Sequence, residues 1–516
     1  MSQEQDKKEG VRGRSKAQWS WETPPESIAA SAIKKTITSD IVVIGAGLSG
    51  VTAAMAAAET GASVTVLEKG STVGPPRHAQ FFFNSRVMKA EGIELDLDAA
   101  IFEFMKETGL VNVDQSVVRT YVYKSGEVVD WLTDILADAS IQVTLMSAEQ
   151  GNSLKYLAYW PHYPTGHLFG FPGRNYMAVF MKYAQNKGAE FRFKTPGVRL
   201  IKGENGRVNS VIGRNADGDY LQFNARKGVI LSTGGFGRDP EMMERYVPLS
   251  DCFAWNFSEK TCTGDGHKMA MWVGADMDEV SSGYLFGGNS PVKSLHPLAG
   301  WAYYPAVAAL PMLYVNKAGN RCMNEEVNLF CMNSGNAFLN QPGGIVWSVW
   351  DSRWESRLPP AEYLGEGVFA TNTQQQLEKD LTEGITLKAA TIEELAGKTN
   401  IPLDGLQSTI ARYNELCKGG KDVDYLKSPA WMARIDTPPY YAARIGASIC
   451  GTTGGVKIND KLQALDKDAM VIPGLYATGD AAGSFVGYNL VYTFAGIGAG
   501  PALTHGYVAA KNALRE

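Results

Sequence analysis

The stretch that decides the fold is residues 39–70, SDIVVIGAGLSGVTAAMAAAETGASVTVLEKG. Ile41, Val42, Val43 and Ile44 form an unbroken apolar run of the kind buried on both faces of a parallel sheet. Gly45-Ala46-Gly47-Leu48-Ser49-Gly50 follows, then an alanine-rich segment, which predicts a turn opening a helix. Val64 to Leu67 reads as a second buried strand, ended by Glu68 and Lys69, so the whole predicts a βαβ unit. Its glycines have separate tasks. Gly45 permits the tight turn, Gly47 lets the backbone approach a pyrophosphate, and Gly50 lets the helix pack on the strand. The helix N-terminus attracts the phosphates. Glu68, 18 residues beyond Gly50, is placed to accept hydrogen bonds from an adenosine ribose. Close packing alone can also demand glycines at a helix start, but strand, turn, helix, strand and terminal acid agree here.

The choice of dinucleotide is made near the other end of the chain. Leu475-Tyr476-Ala477-Thr478-Gly479-Asp480-Ala481-Ala482 sets an acid just after a buried strand, where it suits hydrogen bonding to a ribityl chain, which a flavin carries. No second GxGxxG is present to hold a nicotinamide dinucleotide. FAD is the expected cofactor, and no metal is expected.

Composition narrows the rest. The 516 residues are about three times a typical domain of roughly 150, which predicts two or three packed units. Apolar residues at 45% and charged residues at 20% exclude disordered and fibrous classes. Glycine is in excess, 55 residues where roughly 7% is usual, so backbone must approach something closely in many places. A net charge of -5 without a basic block argues against nucleic acid as a partner. Six scattered cysteines without CxxC argue against iron–sulfur ligation and a disulfide framework. No apolar run reaches the roughly 18 residues of a membrane span, and the polar N-terminal segment lacks a signal-peptide core, so a cytoplasmic location is expected.

The chain divides by texture. Residues 1–36 form a polar arm with Trp19 and Trp21, and 37–248 carry the first part of a Rossmann-like domain. In that part, 96–136 and about 176–187 have helical periodicity, and alternating strands return to a buried strand at 228–232. Residues 249–436 read as an inserted α+β unit with helices near 265–274, 375–397 and 403–418, and 437–516 close the first domain. The expected class is α/β, with a Rossmann-like FAD-binding domain split by an inserted cap.

These motifs carry a resemblance. Beside the two flavin motifs stand Leu231-Ser232-Thr233-Gly234-Gly235-Phe236, Thr263-Gly264-Asp265-Gly266-His267, the run from Val315 through Arg321 to Glu325, and Ala411-Arg412-Tyr413-Asn414. From residue 37 to the end the chain resembles the flavoprotein family of soluble fumarate reductases, succinate dehydrogenase flavoprotein subunits and 3-ketosteroid dehydrogenases. The resemblance implies a cap that closes over the flavin and hydride exchange between flavin N5 and a carbon atom. It completes the cofactor set with Lys69, Val198, Thr233, Gly234, Gly235, Gly264, Asp265, Gly498 and Ala499, beside Gly45 to Gly50, Glu68, Gly479 and Asp480.

The departures from the family are informative. Fumarate reductases grip a dicarboxylate with cationic groups, and Leu329, Gly451 and Leu490 stand here where that clamp would have Arg, His and Arg. Of the clamp only His296-Pro297 remains, too little positive charge to offset desolvation of a dianion. The C-terminal loop instead resembles the 3-ketosteroid dehydrogenases, which implies that the Tyr492 hydroxyl and the Gly496 amide hold a ketone oxygen as an oxyanion hole does. That family's second catalytic Tyr falls at Leu329, which leaves the proton-transferring group open among Tyr163, Tyr159, Tyr303, Tyr304 and His296. Each of these also has the plainer reading of a wall residue.

The expected substrate is an uncharged, ring-bearing molecule: a steroid 3-ketone, or a polyphenol as in the isoflavonoid-reducing, tetrahydrodaidzein reductase-type members of the family. For a phenolic substrate Tyr492 and His296 would act as acids in loss of a hydroxyl. A dicarboxylate reductase is disfavoured, and a flavin electron carrier without organic substrate is the rival from another class. An external electron donor or acceptor is implied, and the oligomeric state is left open.

Overall fold

The computed structural model describes residues 19–77, 79–145, 163–170, 174–247, 250, 255–279, 281–289, 307–308, 310–327, 334–357, 373–487, 491, 494 and 499–516. Among the described residues a mixed α/β architecture is built on three sheets. In the largest, β1 (Ile33–Ile44) lies between β2 (Val64–Leu67) and β9 (Tyr220–Leu231), all parallel. Beyond β2 comes β6 (Glu190–Arg192), and beyond β9 come β17 (Val471–Ala477) and then the antiparallel β16 (Gln463–Leu465). The hairpin β7 (Gly197–Lys202) and β8 (Val208–Arg214) pairs with the first half of β9, along the edge whose last residues pair with β17. Ile41 to Ile44 and Val64 to Leu67 are buried throughout, as strands covered on both faces require. The strand expected at 228–232 is the end of the longer β9, and β1 begins at Ile33.

The helix after β1, Leu48–Ala58, is buried around its whole circumference from Ser49 on. Its small side chains permit this, because the C-terminal helix, Ala499–Arg515, crosses it at backbone contact distance: a Cβ on Gly506 would stand 2.1 Å from the Ser49 carbonyl oxygen. Leu97–Thr108 and Gln115–Asp138 occupy the helical region expected at 96–136.

The second sheet is centred on β15 (Tyr440–Thr452). Strands β10 (Trp255–Asn256), β11 (Gly283–Asn289), β13 (Ile345–Asp351) and β14 (Thr386–Ala389) pair with it, and β12 (Leu313–Val315) pairs with β13. Alternation puts Val346, Trp350, Ala443 and Ile445 in the core on one face and Val349, Leu313, Ala389 and Ala442 in the core on the other. The helical periodicity of 375–397 is broken in two, into Thr373–Thr382 and Ile392–Thr399. Gly384 at φ +70° ends the first helix, β14 finds its partner in β15, and the Thr391 hydroxyl caps the second helix. The third sheet, with β3 (Ala79–Phe81), β4 (Val143–Leu145) and β5 (Gly166–Phe169), flanks the C-terminal helix.

The arm ends in contact with the fold: Trp21 is buried, stacks on Tyr246 at 5.8 Å, and offers its carbonyl to Trp272 Nε1 at 2.8 Å. No helix among the described residues is long and apolar enough to cross a membrane.

Candidate cofactor and substrate site

At the end of β1 the chain turns sharply. Gly45 has φ +101°, and a Cβ there would stand 2.2 Å from the Ser232 carbonyl oxygen. A Cβ on Gly50 would stand 1.9 Å from the Gly45 carbonyl oxygen. Gly47 differs: it precedes the helix with no side-chain cap, and a Cβ on it would meet nothing within 4 Å. Ordinary φ and open space in front of the helix N-terminus leave a cradle where the N–H groups of Leu48, Ser49 and Gly50 have no partner within the helix. That arrangement fits a pyrophosphate.

Glu68 follows β2, and its carboxylate links this loop to the segment after β2. Oε2 accepts from the Ala46 N–H at 2.7 Å and Oε1 from the Gly70 N–H at 2.5 Å. Each oxygen keeps a further lone pair, so a ribose can be held as well. Lys69 turns to Asp265, 2.7 Å away, and to the Thr263 hydroxyl at 2.6 Å, so two residues of the expected cofactor set satisfy each other. Val198 is half-buried in β7, beside Gly197 packed on Ile44.

The expected motifs converge from distant parts of the chain. Ser232 and Thr478 exchange a hydroxyl hydrogen bond of 2.8 Å, and Gly479, at φ +59°, leaves room for Ser49. A Cβ on Gly235 would stand 2.3 Å from Thr452 Oγ1, and one on Gly266 2.1 Å from Thr233 Oγ1, a buried hydroxyl oxygen without a hydrogen-bond partner among the described residues. Gly264, at φ +70°, precedes the helix Asp265–Trp272, in which His267 is buried beside the Asp480 backbone. Desolvation pushes its pKa down to about 4. Ala499 is buried at the start of the C-terminal helix, while Gly498 lies outside the described residues.

A narrow cleft with about 30 Å³ of free space runs past Gly479 and Asp480. Phe81, Phe104 and Phe485 wall it, with Thr452, Thr453 and His505 among its polar side chains. Its described lining contains neither Lys nor Arg. Beside it, Phe494 is held by Phe83 at 5.0 Å, by Tyr163 at 5.0 Å, and by Phe81 and Phe104 at 6.3 Å each. Tyr163 also forms a parallel bridge to Phe494, which brings it to the C-terminal loop. Tyr492, Gly496 and His296, with the alternatives Tyr159, Tyr303 and Tyr304, lie outside the described residues.

The family-like run ending in Glu325 has a different role. Glu325 accepts two hydrogen bonds of 2.8 Å from Arg321, which also reaches Asp422 at 2.7 Å, and Lys427 stands 3.3 Å from Glu325. Burial lowers the pKa of Lys427 while Glu325 opposes that shift. These groups brace the second sheet's cores.

A family model described as FAD binding domain matches residues 40–498. The chain belongs to the FAD binding domain family. It is an FAD-dependent oxidoreductase, as its relatives are. Vinyl phenol reductase of Lactiplantibacillus plantarum is 29% identical over 460 residues, 86% of this chain and 90% of that protein. Among solved structures, a 3-ketosteroid delta1-dehydrogenase from Sterolibacterium denitrificans, in complex with 1,4-androstadiene-3,17-dione, superposes with TM-score 0.73 at 22% identity, over 93% of this chain and all of that one. The open conformation of a flavocytochrome c3 fumarate reductase superposes with TM-score 0.70 at 24% identity, over 96% of this chain and 82% of that one. The flavoenzyme's aromatic anchor, Phe494, escaped sequence reasoning; the alternating aromatics of Tyr492-Thr493-Phe494 are the signal for it.

Proposed function

We propose that this flavoenzyme reduces a carbon–carbon double bond conjugated to the ring system of an uncharged substrate, in a pocket between the FAD-binding part and a cap formed around the second sheet. One observation carries this reading: the described lining of the cleft beside Asp480 offers aromatic walls and no cation. A dianion entering it would lose hydration and meet a carboxylate. An aromatic or alicyclic ring gains by the same burial. Vinyl phenol reductase, a relative over most of both chains, is named for a substrate of this chemistry, and the steroid bound in the ketosteroid dehydrogenase structure is likewise an uncharged ring system.

When bound, FAD supplies the hydride at N5, and the electrons come from an external donor. The protein's part is orientation and proton supply. Gly47 and the helix N-terminus hold the pyrophosphate, Glu68 the ribose and Asp480 the ribityl chain. Tyr492 and the Gly496 amide hold the substrate's polar edge. Tyr163, packed on Phe494, is the proton donor preferred over His296, because its ring is fixed next to the loop that carries Tyr492.

The test is anaerobic. Flavin reduced on the enzyme is mixed with fumarate, a vinyl phenol, a steroid enone or an isoflavone, and its reoxidation is followed by absorbance. A ring-bearing alkene should reoxidise it about 100-fold faster than fumarate does, and Tyr163→Phe and Tyr492→Phe should each slow this about 10²-fold. Equal rates with fumarate overturn the substrate class, and no reoxidation by any organic acceptor turns the reading to electron transfer.

A further inference from the structure

Two walls of the narrow cleft beside Asp480 come from different parts of the chain. Thr452 and Thr453 stand at the exit of β15, and Ala482, Phe485 and Val486 follow the Gly479-Asp480 turn. Just beyond the cleft a single buried carboxylate joins the two. Asp278, 1% exposed, exchanges hydrogen bonds with Gly455: its N–H donates to the Gly455 carbonyl oxygen at 3.0 Å, and its Oδ2 accepts from the Gly455 N–H at 3.3 Å. The same Oδ2 accepts from the Ser484 N–H at 3.1 Å. The fit is close, since a Cβ on Gly483 would overlap Asp278 Oδ2 and one on Gly454 would overlap Ser281 Oγ. Ser484 is held at φ +62°, a left-handed conformation that a residue with a Cβ resists. Besides the bond to Asp278, its Oγ accepts from the Ile458 N–H at 3.2 Å and its carbonyl oxygen from the Asp114 N–H at 2.8 Å. Strain pinned from three segments, one residue before a wall of the cofactor cleft, marks a place where position matters.

We propose that Asp278 is a positioning residue that bolts the Thr452–Gly455 and Ala482–Val486 walls together and so sets how tightly the cleft closes on the flavin. This rests on the FAD site alone and not on the choice of substrate. The bolt depends on charge, because a carboxylate accepts hydrogen bonds roughly twice as strong as a neutral acceptor does. Desolvation pushes the Asp278 carboxyl up to about 7, so it changes charge near neutrality. Of the charged groups that face it, Lys457 lowers this value and Asp276 raises it, and the two pair with each other at 2.6 Å. Glu279, next in sequence, pairs with Arg245 at 3.1 Å. Residues 481–486 carry no ionisable side chain, and the Asp114 carboxylate is turned to the Ser116 N–H at 2.7 Å. The junction is therefore tight above pH 7 and slackens as Asp278 takes up a proton.

The test reads the junction without any substrate, as the rate at which the FAD-loaded protein releases FAD on dilution, followed by flavin fluorescence. Wild-type protein should release FAD about tenfold more slowly at pH 8 than at pH 6, with the change centred near pH 7. Asp278→Asn, which keeps an acceptor without the charge, should release it at the faster rate at both pH values. Asp278→Ala, which leaves both amides without an acceptor, should release it faster still; where that variant does not fold, the Asn comparison decides alone. Reoxidation of enzyme-bound reduced flavin by a vinyl phenol should show the same pH step in wild type and none in Asp278→Asn. Ferricyanide, which takes single electrons and needs no hydride geometry, should reoxidise both proteins alike. A pH step that persists in Asp278→Asn, or its absence from the wild type, overturns the proposal. So does a changed unfolding midpoint in Asp278→Asn with FAD release as in wild type, which would leave Asp278 a purely structural group. If FAD release follows Asp278 while no ring-bearing alkene reoxidises the flavin, the positioning role stands and the substrate reading falls.

Discussion

Gly45, Gly47 and Gly50 carry the same absent side chain in three environments. Gly45 and Gly50 are confined by backbone atoms of the fold itself, whereas a Cβ on Gly47 would meet nothing within 4 Å. Gly50→Ala should therefore cost about 2–4 kcal/mol of stability, seen as an earlier urea or thermal midpoint. Gly47→Ala should leave the midpoint measured without added FAD unchanged and weaken FAD binding at least about tenfold, measured by flavin fluorescence titration. Equal destabilisation by the two would return the motif to a packing role. At this scale the position of Glu68 was legible, because a fixed spacing along strand and helix brings it to the glycine turn, whereas its hydrogen bonds to the Ala46 and Gly70 N–H groups were not. The Lys69–Asp265 pair was not, since a contact between residues nearly two hundred positions apart leaves no periodic trace.

Among elements, β15 does the most to organise the second sheet, and it is an element that local pattern describes poorly. Residues 386–389 have helical neighbours in sequence and become a strand because an edge of β15 is available to them. The family-like run ending in Glu325 illustrates the same point, for its charges are buried with Arg321, Asp422 and Lys427. Glu325→Gln should leave Lys427 and Arg321 short of negative charge and cost about 3–5 kcal/mol, read by urea unfolding followed through tryptophan fluorescence. Adding Lys427→Met to that variant should recover part of the loss. An unshifted urea midpoint for Glu325→Gln would show that the network is not a stabilising brace.

For the whole molecule, buried titratable groups set the response to acid. His167, His267 and His505 are pushed from 6.5 down to about 4 by desolvation, so between those values the unfolded chain binds more protons than the native one. Their contribution is complete above about pH 6.5 and is lost as pH falls toward 4. Asp278 opposes them. Desolvation raises it from 3.8 to about 7, although it accepts hydrogen bonds from the Ser484 and Gly455 N–H groups, so its contribution is lost as pH rises from about 4 to 7. Each group contributes at most about 1.4 kcal/mol per pH unit, and the three histidines outweigh Asp278 and Glu326, whose carboxyl burial also raises, so unfolding free energy should fall on acidification below about pH 6.5. Asp278→Asn, which keeps an acceptor for both amides, should steepen that fall and raise stability above pH 7. A flatter profile for the variant would refute the sign.

The sequence by itself determined the βαβ unit and the FAD motifs at both ends of the chain. These depend on residue type and spacing over short stretches, where backbone geometry leaves few alternatives. Only the tertiary structure decided that Gly506 seats the C-terminal helix on Ser49, that β15 gathers strands from four separate segments, that Tyr163 meets Phe494, and that His505 faces the cleft. Those contacts join residues far apart in the chain, and packing, satisfied all at once when the cores close, selects them where local preference does not.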